Sequence, residues 1–327
     1  MLVLGIAVFL FVPKLIGFRH TLALLQVANP IYLVLALVAE TLRYLISAAS
    51  TIVLARVFAI DIPLGSMVEA FFGGAAANRT FSTGGAPGML IRLDYLAHRG
   101  VTVGAVAVIF LIEDLIGLVV GGVILVIGIV TLTNALPPGT LIGDFAIVST
   151  LGTPALVVIG WYIYRRRAWV ERGVHAAARV LQRPVEWLLG RPALDPPRVQ
   201  RALDDFYIGM SAARRAPLNV VAALAFNVIR YVAGAAALFF AFYSLNWTIS
   251  PGALILIFTS VSVLSSVSAV PGEMAIMGGS FALLSLAFGV PGDIALLALL
   301  LSRAIAFWLP IPVGYAALWH LRHAHLM

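Results

Sequence analysis

The sequence predicts an all-α polytopic membrane protein made of two inverted repeats, each joining long transmembrane helices to a re-entrant helical hairpin. Composition is the first reason: of 327 residues, 62% are hydrophobic and 11% charged, and the mean hydropathy is +1.05. A soluble domain carries roughly 25% charged residues. Length is the second: apolar runs long enough to cross about 30 Å of hydrocarbon fall at 30–55, 101–131, 145–164, 216–245 and 290–319. The third is internal repetition. ETLRYLISAAST around Glu40 returns as NVIRYVAGAAAL around Asn227, and a glycine, read as a turn, follows each arginine by 22 residues, Gly65 after Arg43 and Gly252 after Arg230. A small-residue segment then leads to Ala86-Pro87-Gly88 or Val270-Pro271-Gly272, and Gly-Val opens another apolar helix at Gly100 and Gly289. Two similar halves in an apolar chain are the sequence sign of transporter architecture.

The elements follow in order. The run at 1–13 ends at Lys14 and lacks a basic start and a clear small-residue cleavage site, so it is read as a first span, its completeness left open. Repeat one occupies about 30–131, a linking span and basic loop about 144–215, and repeat two about 216–320, all within one transmembrane domain. Eleven arginines lie between Arg165 and Arg215 against five acids. That excess reads as a cytoplasmic-side signal and as a surface for anionic lipid headgroups, not as a nucleic-acid reader. Trp161, Tyr162 and Tyr164 read as an interfacial belt. The loop 168–210 is expected to hold one or two amphipathic helices along the membrane, broken at Pro184, Pro192 and Pro196-Pro197, with Trp187 and Leu188 toward lipid.

With that loop inside, the crossings can be counted. The segment 60–100 leaves and returns on the cytoplasmic side, the segment 252–288 does so on the outer side, and the C-terminus ends inside near Arg322. The outer turns near Asn134, Asn246 and Val290 carry no lysine or arginine. The first repeat therefore starts outside and the second inside, the inversion that lets one pathway open to either face.

The returning segments, GGAAANRTFSTGGAPG within 65–98 and TSVSVLSSVSAVPGEMAIMGGS within 252–288, are rich in Gly, Ser, Thr and Pro and short per arm. Non-helical backbone at membrane depth survives only where protein or water satisfies its polar groups. The hairpin tips are thus expected to line a hydrated interior; small residues that only permit close helix packing, notably Ser260 to Ser268, are the alternative.

Ionisable groups within spans are costly and are functional candidates by default. Glu40 and Arg43, three apart, read either as a self-neutralising pair or as part of a site. Arg230 has only Asn227 at that spacing, so it either finds a carboxylate elsewhere or faces water, with Glu113, Asp114, Glu273 and Arg303 as the candidate groups. These groups form either a structural ion-pair network or a headgroup site. In the second reading Arg92, Arg230 and Arg303 hold a phosphodiester, while Glu113, Asp114 and Glu273 receive a cationic group or carry protons.

A long first helix, Asn78 before a Gly-Pro turn, Arg92 soon after, Glu113 in mid-helix, then Asn227, Pro271-Gly272 and Arg303, together resemble the lysylphosphatidylglycerol synthase transmembrane region over about 30–320. That family includes the flippase domain of bacterial multiple peptide resistance factor and the YbhN-like inner-membrane proteins. The chain departs from the family pattern at Thr83-Gly84-Gly85 before Pro87, at Glu273 directly after Gly272 with Gly278 near the usual acidic position, and at Asp114 where an arginine often follows the glutamate. The resemblance implies a multi-pass protein of a bacterial or archaeal inner membrane. It also implies substrate binding at its matching positions, Asn78, Arg92, Glu113, Asn227, Pro271, Gly272 and Arg303, to which the reading of the buried charges adds Arg43, Asp114, Arg230 and Glu273 as candidate substrate-binding residues.

The expected function is movement of a phospholipid, aminoacylated or zwitterionic, or of a polyprenyl-linked lipid between leaflets. A membrane-embedded enzyme or accessory subunit acting on headgroups is the alternative, and a purely structural membrane partner is a third. The synthases that the chain resembles carry their chemistry on an added soluble domain, and none is read here, so the expectation is no enzyme. No cofactor is expected. The absence of cysteine removes thiolate sites; His98 reads as interfacial, His320, His323 and His325 as a frayed tail, and the Gly-Gly pairs at Gly73, Gly84 and Gly121 lack the strand–turn–helix setting of a phosphate loop. Self-association is left open.

Overall fold

A computed structural model describes residues 28–81, 85–132, 165–189, 196–255, 257–259, 288–324 and 326–327, with Tyr162 besides. The helices are α1 (Pro30–Ala55), α2 (Leu64–Thr80), α3 (Ala86–His98), α4 (Val103–Leu132), α5 (Arg167–Leu189), α6 (Pro196–Arg215), α7 (Pro217–Ser244), α8 (Gly292–Trp308) and α9 (Pro310–His323), with a short 3₁₀ turn at Arg56–Phe58. Among the described residues there is no strand.

Four of these are long and apolar enough to cross a membrane: α1 with its 3₁₀ turn, α4, α7, and α8 joined to α9. The protein is a multi-pass membrane protein. Its surface agrees, because Ile31, Val34, Val38, Leu42 and Leu45 on α1 and Leu218, Val221, Leu224, Val228 and Val232 on α7 form exposed apolar stripes at helical spacing. In water such stripes would be an aggregation liability; in lipid they are solvated.

Chain punctuation sets the helix ends. Asn29 caps α1 by accepting from the Ile31 N–H at 3.0 Å, with Pro30 in the first turn. The 3₁₀ turn after α1 closes at Ala59 with a left-handed φ of 57°. Pro197 in the first turn of α6 and Pro217 at the start of α7 remove N–H groups that a helix start leaves unpaired anyway.

The two Arg-Tyr helices pack side by side and run antiparallel. Asn29 N–H at the start of α1 bonds the Ser244 carbonyl at the end of α7 at 2.8 Å, and Asn219 Nδ2 at the start of α7 bonds the Val53 carbonyl near the end of α1 at 2.9 Å. Tyr32 and Tyr243 meet edge to face at 4.8 Å.

Two apolar cores sort the helix ends. One gathers Ala55, Ile62, Met67, Leu96, Val101, Ala223 and Leu321: the end of α1, both outer ends of the α2–α3 hairpin, the start of α4, an early turn of α7 and the end of α9. The other gathers Leu125, Phe242, Leu245, Ile249, Ala253, Val290 and Ala295, with Ala28 against it, and so collects the opposite ends. The flanks of 60–100 lie at one end of the bundle and the flanks of 252–288 at the other.

The arms α2 and α3, 17 and 13 residues long, extend about 25 Å and 20 Å at 1.5 Å per residue, short of the hydrocarbon thickness. α2 packs on α9 through small residues. A side chain at Gly73 would meet Leu318 Cγ at 2.7 Å, and one at Gly314 would strike the Phe72 carbonyl and, at 2.6 Å, Ala76 Cβ.

Four expectations change. Gly65 and Gly252 lie in the first turns of helices rather than in turns between them, because Pro63 and Pro251 beside them start helices there. Pro184 does not break the loop helix; α5 runs through it. A proline removes one helical hydrogen bond, the one to the carbonyl four residues earlier, at Val180, and the rest of the 23-residue helix carries through it. The run 290–319 is interrupted at Leu309, before Pro310, and its helical conformation continues to His323. The remaining apolar runs, at 1–13 and 145–164, lie outside the described residues apart from Tyr162, as do Trp161, Tyr164, Pro192, the tip residues Thr83 and Gly84, and the serine run from Ser260 to Ser268.

Candidate functional site

The charged residues of the spans converge near the middle of α1, α4 and α7. On α1 the Arg43 guanidinium donates to both Glu40 carboxylate oxygens, through Nε at 2.9 Å and through Nη2. Glu40 is buried, while the Arg43 side chain keeps 29% of its accessible surface. At the corresponding place on α7, Arg230 Nη2 donates to Asn227 Oδ1 at 2.7 Å. Each arginine also lies 5.4 Å from the ring of the tyrosine that follows it, Tyr44 or Tyr231. The two helices thus build the same local geometry with one difference: the first arginine is neutralised by a carboxylate, the second is held by a neutral amide.

The second hairpin arm reaches the same region. Arg92 on α3 donates to Glu113 Oε2 at 2.5 Å and to Thr51 Oγ1 at 3.4 Å, while Thr51 Oγ1 donates to Glu113 Oε1. The Phe71 and Phe110 rings lie 4.2 and 4.4 Å from the guanidinium carbon, a double cation–π contact. One ion pair therefore ties the hairpin to α1 and α4. Its Arg92 and Glu113 side chains are 19% and 15% exposed. The Nε groups of both Arg92 and Arg230 are buried without a partner, so both guanidiniums hold an unused donor.

Asn78 has a structural engagement. Its Oδ1 accepts from the Gly88 N–H at 2.6 Å and so caps α3, whose preceding residue Gly85 has a left-handed φ of 85° and no capping side chain. The cap requires close approach, since a Cβ on Gly88 would lie 2.7 Å from the Gly74 carbonyl oxygen.

Asp114 is exposed in mid-span with Arg92 and Arg230 within Coulombic reach. Arg230 in turn interacts with Arg43, Glu113 and Asp114. Arg43, Arg92 and Arg230 thus face Glu40, Glu113 and Asp114 in one electrostatic unit. Tyr231 fastens it by donating to the Gly117 carbonyl at 3.1 Å.

Of the predicted site residues, Arg43, Arg92, Glu113, Asp114, Asn227 and Arg230 come together and Asn78 buttresses the hairpin. Arg303 is half-buried on α8. Pro271, Gly272 and Glu273 lie outside the described residues. No group of three or more His, Asp or Glu residues among the described ones is placed to hold a metal. His320 pairs with Glu69 at 2.8 Å, His323 bonds the Trp319 carbonyl, His98 caps its own helix through Asp94, and His325 lies outside the described residues.

A sequence model of the lysylphosphatidylglycerol synthase TM region matches residues 2–314. The chain belongs to that family. Family membership and the apolar helices together fix a lipid-related membrane role. A comparison with curated proteins finds no match.

Sequence reasoning missed several members of the site. Thr51, Phe71, Phe110 and Gly117 look like ordinary core residues in an apolar chain, and only tertiary packing brings them to the charges. Arg79, at the last turn of α2, interacts with Tyr44; its position one residue after Asn78 was a usable signal.

Proposed function

We propose that this family member moves a phospholipid between leaflets, the headgroup passing the mid-span charges while the acyl chains stay in the bilayer. The observation that carries the reading is the balanced cluster where antiparallel α1 and α7 meet, because charges at that depth are costly unless paired or hydrated. Asp114 is exposed and Arg43, Arg92 and Glu113 keep accessible surface. A site presenting both signs suits a zwitterionic or aminoacylated headgroup and suits a simple ion pore poorly.

Alternating access between inverted repeats is the mechanism proposed. It is supported by the antiparallel Arg-Tyr helices, their matching Arg–Tyr geometry, and the placement of the two hairpin flanks at opposite ends of the bundle. Midplane sites between inverted repeats are how transporters expose one site to two faces. In this reading Arg230, with its neutral partner and spare Nε–H, takes the phosphodiester, and Asp114 faces a cationic headgroup. Transport runs downhill or is coupled to protons through Glu113 or Asp114. The arginine excess in 165–215 supports a cytoplasmic side for that loop and for the C-terminus, in a bacterial or archaeal inner membrane.

Reconstituted protein should accelerate exchange of fluorescent phospholipid between leaflets, and Arg230→Ala should slow it at least about tenfold, the equivalent of ~1.4 kcal/mol of barrier. Exchange no faster than in empty liposomes ends the proposal. Headgroup turnover without exchange would favour a membrane-embedded enzyme instead.

A further inference from the structure

We propose that α5 is a surface-lying anchor whose apolar face enters the boundary of an anionic phospholipid leaflet, a second lipid site separate from the mid-span cluster. Its 23 residues extend about 35 Å. Trp169, Gly173, Ala176 and Val180 follow the spacing i, i+4, i+7, i+11, one stripe of a helix. All four are exposed, Trp169 at 52% and Val180 at 75%. Among the described residues the Tyr162 ring stands edge-on to Trp169 at 6.4 Å, and the stripe keeps its exposure beyond that contact.

Position and charge identify the occupant. α5 is held by its polar edge against antiparallel α6, through Arg167 to Asp204 at 2.5 Å and His175 Nε2 to Gln200 Oε1 at 3.2 Å. α6 packs in turn where spans begin and end: Gly104 in the first turn of α4 fits against Ala202, Asp205 and Phe206, and Gly209 against Phe58 and Val108. The α5–α6 pair therefore sits at the level where helices leave the hydrocarbon.

The arginines divide into two kinds. Arg167 is consumed by Glu171 at 2.7 Å and Asp204. Arg172 and Arg179, both exposed, bond only the backbone carbonyls of Ala168 and His175 one turn back on their own helix, and among the described residues neither meets an acid. Uncompensated arginines at the rim of an apolar stripe bearing a tryptophan are the chemistry of a helix at an anionic interface. The level of the pair beside the span ends and the sign of these charges together favour an anionic leaflet as the occupant.

The chain has no cysteine, so a single Val180→Cys labels the stripe and Ala168→Cys, on the α5 flank away from it, serves as control. Each is tagged with an environment-sensitive fluorophore in full-length protein, in liposomes of phosphatidylcholine alone or with phosphatidylglycerol. Position 180 is expected to show blue-shifted emission quenched by nitroxide-bearing lipid in the anionic liposomes, position 168 water-like emission. Arg172→Gln and Arg179→Gln should each lower the immersed-to-exposed ratio about fivefold, the equivalent of ~1 kcal/mol per charge at the surface. Water-like emission at 180 in both liposomes overturns the proposal. So does equal immersion in both, which removes the anionic requirement, or a blue shift that tracks protein density and ignores lipid quenchers, which assigns the face to a second copy. Leaflet exchange through the central cluster is not needed for any of these readings.

Discussion

Removing Arg92 should be the most damaging single truncation in the described core. The guanidinium neutralises Glu113, donates to Thr51 and fills the space between Phe71 and Phe110. At a charge separation near 4 Å and an effective dielectric of about 20, the ion pair contributes about 4 kcal/mol of attraction, largely offset by the desolvation that burial imposes. Truncation keeps that desolvation for Glu113 and loses the attraction, which costs about 3–5 kcal/mol; loss of the cation–π contacts adds about 1 kcal/mol. The test is a double-mutant cycle of Arg92→Met and Glu113→Gln on reversible unfolding in a defined bilayer or detergent. Each single change should cost about 3 kcal/mol or more, and the double change clearly less than their sum, with a coupling of about 2 kcal/mol. Costs that add within about 0.5 kcal/mol would mean that the two groups do not sense each other, and the latch between hairpin and spans would be abandoned.

Other predictions follow from the same geometry. Asn227→Asp gives Arg230 the carboxylate that Arg43 already has; stability should hold or rise, while leaflet exchange should fall about tenfold or more as the free cation is consumed, and unchanged exchange would remove Arg230 from the pathway. Gly88→Ala drives a methyl into Asn78 and the Gly74 carbonyl and should destabilise by about 1–3 kcal/mol, whereas Gly65→Ala, with nothing within 4 Å, should be neutral or stabilising by up to ~1 kcal/mol; equal effects in thermal unfolding would contradict the packed hairpin. Asn78→Ala uncaps α3 at a cost of about 1 kcal/mol, read as faster amide exchange at residues 86–89. Tyr231→Phe removes the bond to the Gly117 carbonyl and should cost about 1 kcal/mol, measured by the same unfolding assay.

Local sequence was enough for the solvent, for the four long apolar helices among the described residues, and for the recurrence of the Arg-Tyr motif. Those properties are carried by local quantities: run length sets whether a helix crosses lipid, and the Arg-Tyr motif at 43 and 230 recurs whatever its surroundings. The i, i+3 pairs Glu40–Arg43 and Asn227–Arg230 were legible for the same reason, because helical geometry alone puts those side chains together. Tertiary structure alone decided which distant groups share a space. Glu113 pairs with Arg92 rather than with Arg230 because the hairpin inserts its second arm beside α4, and Asn78 is committed to capping α3 because Gly74 and Gly88 let the arms touch. Neither outcome has a spacing that a linear reading can detect: each depends on where a helix surface lands, and only packing sets that.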